Sequence, residues 1–316
     1  MRKNWMCFAA PQLNRGVPVT RAGWACSRAP LPCGEDARAV RSYSLLEIGH
    51  SIKLITERII RTKMEWLALK ELLDGEAERI NSPAFIGEDP VQFPRRFEKQ
   101  EDIEAASLLS ATIAWGNRKM ICRDCDKLMG LMADDPHAFI MEGAWEEIPD
   151  ELNIHRTFFG RNLKYYLRGL KLAFERYGTI EEVAAKSGAA DSELPAWTFV
   201  KLLSDVLKEA NGGATDSRCL PVNIDTTALK RVNMALRWLV RDDGIVDMGV
   251  WKVLRPSQLF IPMDVHVSDV SRQLGLLERK STDRKAVEQL TGRLREFRPE
   301  DPCVYDFALF GIGMGL

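Results

Sequence analysis

The chain has 316 residues, 46% of them hydrophobic, with 44 Lys+Arg against 45 Asp+Glu and a net charge of −1. That composition supports a sizeable core and excludes wholesale disorder, and no apolar run approaches the ~18 residues that announce a membrane-spanning helix. Near-neutrality supplies no global basic field for nucleic acid, and seven irregularly spaced cysteines make no disulfide framework, so a reduced, cytoplasmic setting without a membrane partner is expected.

The neutrality conceals a division. Residues 1–63 hold 11 basic and 4 acidic residues, a net +7, which leaves −8 for the rest. This Arg-rich, Pro/Gly-scattered segment carries Cys7, Cys26 and Cys33 and keeps no period before Leu45–Ile60. It resembles a transit peptide in composition, but the favoured reading is a disordered or mis-called extension ahead of Met64.

From Met64 the spacing is helical. It predicts helices over Met64–Ile80, Glu101–Trp115 and Lys119–Met132, with a loop marked by Gly87, Pro90 and Pro94 and a break at Gly116-Asn117. Asp134-Asp135-Pro136-His137 reads as a turn closed by its proline. Further helices are expected at Arg156–Tyr177, Ile180–Ala185, Trp197–Ala210 and Asp225–Arg241, with Asn211-Gly212-Gly213 as the clearest break. A connector with Gly244, Gly249 and Pro256 follows, then a helix opened by Pro262 and Asp264 and closed by Gly275, then a final helical region. No alternating run demands a sheet, so the expected class is all-α.

In the segment Ile261-Pro262-Met263-Asp264-Val265-His266, Asp264 reads first as an N-cap that satisfies free amides. Asp264 and His266 alternatively begin a metal site, though a third ligand is not in sight. At 100° per residue, Lys230, Asn233, Arg237 and Arg241 share one side of a helix, and Leu229, Val232, Leu236 and Leu239 the other. Such a basic stripe is either a solvated face or a set of phosphate contacts. Gly116-Asn117 is either an ordinary helix break beside a core Trp115 or a probing loop. Cys122-x-x-Cys125 lacks a second pair, so neither zinc nor any other metal or cofactor is expected. His50, His137 and His155 show no partners in the sequence.

The Pro262–Val267 segment with its Leu274-Gly275 ending resembles the segment that bears the essential aspartate in helix-hairpin-helix DNA glycosylases. Leu108–Ala111 followed by Trp115–Arg118 is similar to that fold's DNA-probing loop, and Leu220-Pro221 with Lys230–Trp238 to its hairpin and lysine-bearing helix. The body from residue 64 onward more closely resembles an uncharacterised bacterial family placed distantly in that superfamily, through Ala114–Arg118, Lys230–Arg241, Ile261–His266 and Asp306–Gly311. The resemblance implies a two-lobed helical monomer over 64–316 with DNA in the cleft between the lobes. Lys230 is then the nucleophile that forms a Schiff base with the sugar of a damaged base, such as an oxidised purine. Asp264 stabilises the charge developing on that sugar. Trp115, Asn117, Arg118, Arg237, Arg241 and His266 are the implied DNA contacts.

Where the glycosylases carry Leu-Pro-Gly-x-Gly, this chain has Leu220-Pro221-Val222-Asn223-Ile224, and Asp264 follows Lys230 by 34 positions. Lys252, 12 positions before Asp264, is a rival nucleophile, and Cys303 alone follows Asp264, so no iron–sulfur cluster is expected. Two other readings stand beside the enzyme: a catalytically silent nucleic-acid-binding relative, and a metal-dependent hydrolase using Asp264 and His266.

Overall fold

One unbroken helix, α1 (Leu45–Ile80), opens the computed structural model, which describes residues 45–316. Residues 1–44 of the expected extension, with their three cysteines, and the side chain of His50 lie outside the described residues. The helix expected from Met64 therefore starts at Leu45, because no proline interrupts the apolar period on either side of Met64. Its later turns bury Leu73, Ala77 and Ile80, set Trp66 against Phe297 at 4.5 Å, and let Asp74 accept a 2.6 Å bond from the Tyr305 hydroxyl. Burying one such leucine contributes about 2 kcal/mol. Residues 56–316 form one compact unit.

A single turn, α2 (Pro83–Ile86), leads through two short 3-10 turns to α3 (Gln100–Thr112), whose residues from Asp102 to Thr112 are all buried. Its carboxylates organise the helices around it. Asp102 accepts the His137 amide at 2.9 Å at the start of α5 (Pro136–Glu142). Glu104 accepts the amides of Ile180 and Glu181 at 2.7 and 2.9 Å at the start of α7 (Ile180–Lys186), and the indole N–H of Trp251 at 2.8 Å. Helix α4 (Arg118–Leu131) lies between, capped by the Asn117 side chain. The turn expected at Pro136 is in fact the first turn of α5, because proline at N1 forfeits only an amide that would have been free anyway.

A small antiparallel hairpin, β1 (Asn153–His155) with β2 (Phe158–Phe159), precedes α6 (Gly160–Tyr177). Helix α6 packs on α8 (Pro195–Ala210) at Gly169, where a Cβ would stand 2.4 Å from Leu207. A long non-helical connection, 211–229, then reaches α9 (Lys230–Val240). The helix expected from Asp225 is thus shorter: Leu229, at φ +51°, holds a left-handed conformation that ends any helix running through it. Leu220-Pro221 lies within this non-helical connection.

The connector 241–264 folds back on α9, with Met248 and Trp251 donating backbone bonds of 2.8 Å to the carbonyls of Trp238 and Leu239. Helices α10 (Val265–Gln273), α11 (Arg284–Phe297) and α12 (Tyr305–Met314) complete the chain. The fold is all-α, and no described helix is long and apolar enough to cross a membrane.

Candidate functional site

The starts of α4, α9 and α10 and the body of α12 enclose a cavity of about 1070 Å³. Trp115, Asn117, Arg118, Lys230, Arg237, Asp264 and His266 all line it, so residues scattered over half the chain meet in one place. Arg241 is the one expected site residue that does not.

Lys230 is the first residue of α9 and is half-buried. Its Nζ lies 3.5 Å from the Met234 thioether, and no carboxylate among the described residues comes within ion-pair distance. Asp264 is the N-cap of α10, its Oδ1 accepting the Val267 amide at 3.0 Å. The N-cap reading therefore holds, and it does not remove Asp264 from the cavity: among the described residues its second carboxylate oxygen has no hydrogen-bond donor. His266 sits one turn-position further on, exposed at the cavity wall.

Asp306 is the wall residue that sequence reasoning missed. It is 6% exposed, and burial pushes its carboxyl up to about 6, with the Asp264 charge adding to the rise and Arg237 and Lys230 opposing it. Arg237 donates to it through Nη1. A signal existed: Asp306 is the only charged residue in the otherwise apolar Tyr305–Met314, and a lone carboxylate on a buried helix requires a partner.

The 115–118 loop is held from several sides. Asn117 Oδ1 accepts the Met120 amide at 3.2 Å, which makes the helix-break reading correct for this residue. Trp115 is partly buried edge-on to His155, with ring centroids 4.9 Å apart, and its carbonyl lies 2.9 Å from His155 Nε2. His155, read from sequence as partnerless, is fully buried with Nδ1 2.8 Å from Asp124 Oδ2. His137 is edge-on to Phe174 at 4.8 Å. Arg118 stacks over Phe85 and Phe310 at 4.8 and 5.1 Å and pairs with Asp89 at 3.3 Å, so it braces the wall instead of reaching freely into the space.

The basic stripe on α9 is corrected. Arg237 and Arg241 are 3% and 2% exposed, far from a solvated or phosphate-facing surface. Arg237 pairs with Asp247 at 3.2 Å and with Asp306, while Arg241 pairs with Asp247 and, at 2.9 and 3.1 Å, with Asp301 and Asp243. The helical wheel grouped these residues correctly; what it lacked was the connector 241–264, which brings Asp243 and Asp247 over that side. Arg237 keeps contact with the cavity only as the anchor of Asp306. A buried guanidinium is tolerated because carboxylates supply the compensating charge.

Lys252 lies outside the cavity, with Nζ 2.7 Å from the Gly249 carbonyl and 3.6 Å from Asp242. Cys122 and Cys125 are free thiols on α4, as are Cys219 and Cys303 elsewhere. Among the described residues no three histidine, cysteine or acidic side chains converge as metal ligands, so Asp264 and His266 gain no third partner.

Residues 89–315 match the family described as Protein of unknown function (DUF2400), and the chain belongs to that family. No curated protein and no solved structure matches it.

Proposed function

We propose that the chain is a base-excision DNA glycosylase with lyase activity, acting on a damaged base such as an oxidised purine. The observation that carries this reading is the convergence of Lys230 and Asp264, 34 positions apart, on one cavity that also holds Trp115–Arg118. The resemblance to helix-hairpin-helix glycosylases assigned those three segments to one site, and a two-lobed bundle with DNA in its cleft is the architecture it entails. The base enters the cavity as a flipped nucleotide. The Lys230 amine attacks the sugar carbon that holds the base, and the base leaves with the electron pair of the glycosidic bond and takes up a proton; the sugar ring then opens at that carbon's bond to the ring oxygen, which takes the second amine proton, and the C=N bond of the Schiff base forms. The free oxygen of Asp264 faces the positive charge developing on the sugar. Among the described residues no carboxylate lies within ion-pair distance of Lys230, and Asp306, a buried carboxyl lining the same cavity, is the acceptor for the proton that the amine sheds on attack. The protein works as a cytoplasmic monomer in this reading.

Borohydride trapping on duplexes bearing single lesions tests the assignment. A covalent adduct that disappears in Lys230→Ala supports it; no adduct with any lesion, or one that survives the substitution, overturns it.

A catalytically silent nucleic-acid-binding relative is the second reading. It is favoured by Val222-Asn223-Ile224 standing where the glycosylases' hairpin has its glycines, and by the withdrawal of Arg237 and Arg241 into internal ion pairs. It predicts DNA binding unchanged by Asp264→Asn and no base release from any duplex.

A further inference from the structure

Asp306 belongs to a cluster of bonded charges that runs inward from the cavity wall. Among the described residues, two guanidiniums, Arg237 and Arg241, stand in it against four carboxylates, Asp243, Asp247, Asp301 and Asp306. The set carries an excess of negative charge when every group is ionised, and burial makes that excess costly. A proton relieves it, and the bonds decide which carboxylate can hold one. Both oxygens of Asp301 accept from Arg241, at 2.9 and 3.1 Å. Asp243 gives one oxygen to the Ile245 and Val246 amides and the other to Asn81 and Arg241. Asp247 gives Oδ1 to Arg237 Nε at 3.2 Å and Oδ2 to Arg241 Nη1. Asp306 spends Oδ2 on Arg237 Nη1, and among the described residues its Oδ1 accepts from no donor. Of the four carboxylates, Asp306 is also the one that lines the cavity.

Asp247 maintains this arrangement. Its side chain is wholly excluded from water. Its backbone is pinned on either side, with Arg95 donating to the Val246 carbonyl and the Met248 amide to the Trp238 carbonyl, both at 2.8 Å. From this fixed place it takes the Nε edge of Arg237, whose guanidinium is stacked over Phe307 at 4.3 Å. Arg237 therefore reaches Asp306 through one N–H. An arginine with no second carboxylate closes on its partner with two parallel bonds, which occupy both oxygens and hold the group ionised. Other charges act on the pair through space: Lys230 and Asp264 on Asp306, and Asp89 and Arg241 on Arg237, with the Cys303 thiol buried beside the cluster.

We propose that Asp247 is a positioning residue for proton transfer: divided between Arg237 and Arg241, it limits Arg237 to one bond with Asp306 and leaves Asp306 Oδ1 open to the cavity. The proton that the Lys230 amine sheds on attack passes to that oxygen, and the electron pair of the broken N–H bond stays on nitrogen. The choice of reaction rests on the glycosylase reading above, whereas the bonding arrangement stands on the local geometry.

The test follows the Asp306 carboxyl by NMR across pH, in the full chain with carboxyl-labelled aspartate, its signal identified by its loss in Asp306→Asn. In wild type it is expected to titrate near pH 6. Asp247→Asn removes a neighbouring negative charge and frees Arg237 to close on Asp306, so the titration should move down by about one pH unit. Asp301→Asn strips a carboxylate from Arg241 on the side away from Asp306 and should move it far less, which separates positioning from a general loss of stability. The inflection in single-turnover base release should follow the same order. A signal that stays in place or moves up in Asp247→Asn, or moves as far in Asp301→Asn, overturns the proposal. If Asp247→Asn does not fold, the wild type decides: titration near pH 6 supports the single bond, and titration at or below the ordinary carboxylate value of about 4 overturns it. The downward shift without base release or a borohydride adduct from any lesion rejects the glycosylase reading alone. An adduct with an Asp306 titration unmoved by Asp247→Asn rejects the positioning role alone.

Discussion

His155 Nδ1 lies 2.8 Å from Oδ2 of Asp124, in a part of the interior from which the imidazole is wholly excluded from water. The ring's other nitrogen faces the Trp115 carbonyl, which is only an acceptor. The ring is thereby clamped between a carboxylate and a backbone carbonyl, one on each nitrogen. Through it, α4 and the β-hairpin fix the carbonyl that ends the α3 side of the cavity.

Asp124→Asn removes the buried carboxylate that Arg123 and His155 bind and is expected to lower unfolding free energy by about 2 kcal/mol, measured by urea denaturation. Burial works to raise the Asp124 carboxyl, but bonds from Arg123 and His155 outweigh it and hold the group below the ordinary carboxylate range. Its contribution is therefore present above the unfolded-state pKa and is lost as pH falls through the lower folded value. The stability gap between wild type and Asp124→Asn should accordingly shrink in acid; a gap that widens in acid contradicts the lowered Asp124 carboxyl.

Two buried carboxyls point the other way. Burial raises Glu104 to about 7, against bonds from the Ile180 and Glu181 amides, and raises Asp306 to about 6. A raised folded pKa gives a contribution that is complete below the unfolded value near 4 and is lost as pH climbs through the folded one. Stability should therefore decline from pH 5 towards pH 7 in wild type, and Glu104→Gln should flatten the upper part of that decline. Urea midpoints across this window provide the check.

Asp306 also lines the cavity, so its titration should appear in any reaction that occurs there. The rate of base release is expected to rise through an inflection near pH 6 as Asp306 becomes able to accept a proton. Asp306→Asn should remove the inflection and slow the reaction by about a hundredfold or more. Single-turnover rates against pH read both, and an inflection that persists in the variant excludes Asp306 as the acceptor.

Lys230 carries little structural burden: it is half-buried, makes no ion pair among the described residues and touches the Met234 thioether. Lys230→Met should leave stability within about 1 kcal/mol of wild type while base release falls by at least about a thousandfold. Thermal melts and product formation on the same preparation separate these outcomes.

Gly116 holds φ +102°, and a Cβ there would stand 2.3 Å from Arg156 Nη1. Arg156 is a long side chain and swings away at small cost, so the backbone dominates, and Gly116→Ala should destabilise by about 1–2 kcal/mol. The affected segment runs from Trp115 to Arg118, so intrinsic Trp115 fluorescence should change more than overall helicity.

Much of the architecture was legible along the chain because helix formation is decided locally. The 3.6-residue spacing and the Gly, Asn and Asp stops located most helices to within a few residues, and Asp264 was readable as a cap. Errors arose where one residue serves two purposes. Pro136 closes one pattern and opens α5, and Leu229, an ordinary apolar residue in sequence, takes a left-handed conformation that delays α9 to Lys230.

By itself, the sequence determined that the chain is all-α and that Lys230, Asp264 and Trp115–Arg118 were residues worth bringing together. Tertiary structure alone decided what each charge does. A helical wheel places Arg237 and Arg241 on one side but says nothing of what covers that side, and the covering carboxylates come from the connector and α12. Asp306 acquires its character the same way: burial removes water from it, and Arg237 compensates its charge. Charge in water is nearly indifferent to its neighbours, whereas charge in the interior is governed by them, and neighbours distant in sequence are known only once the chain has folded.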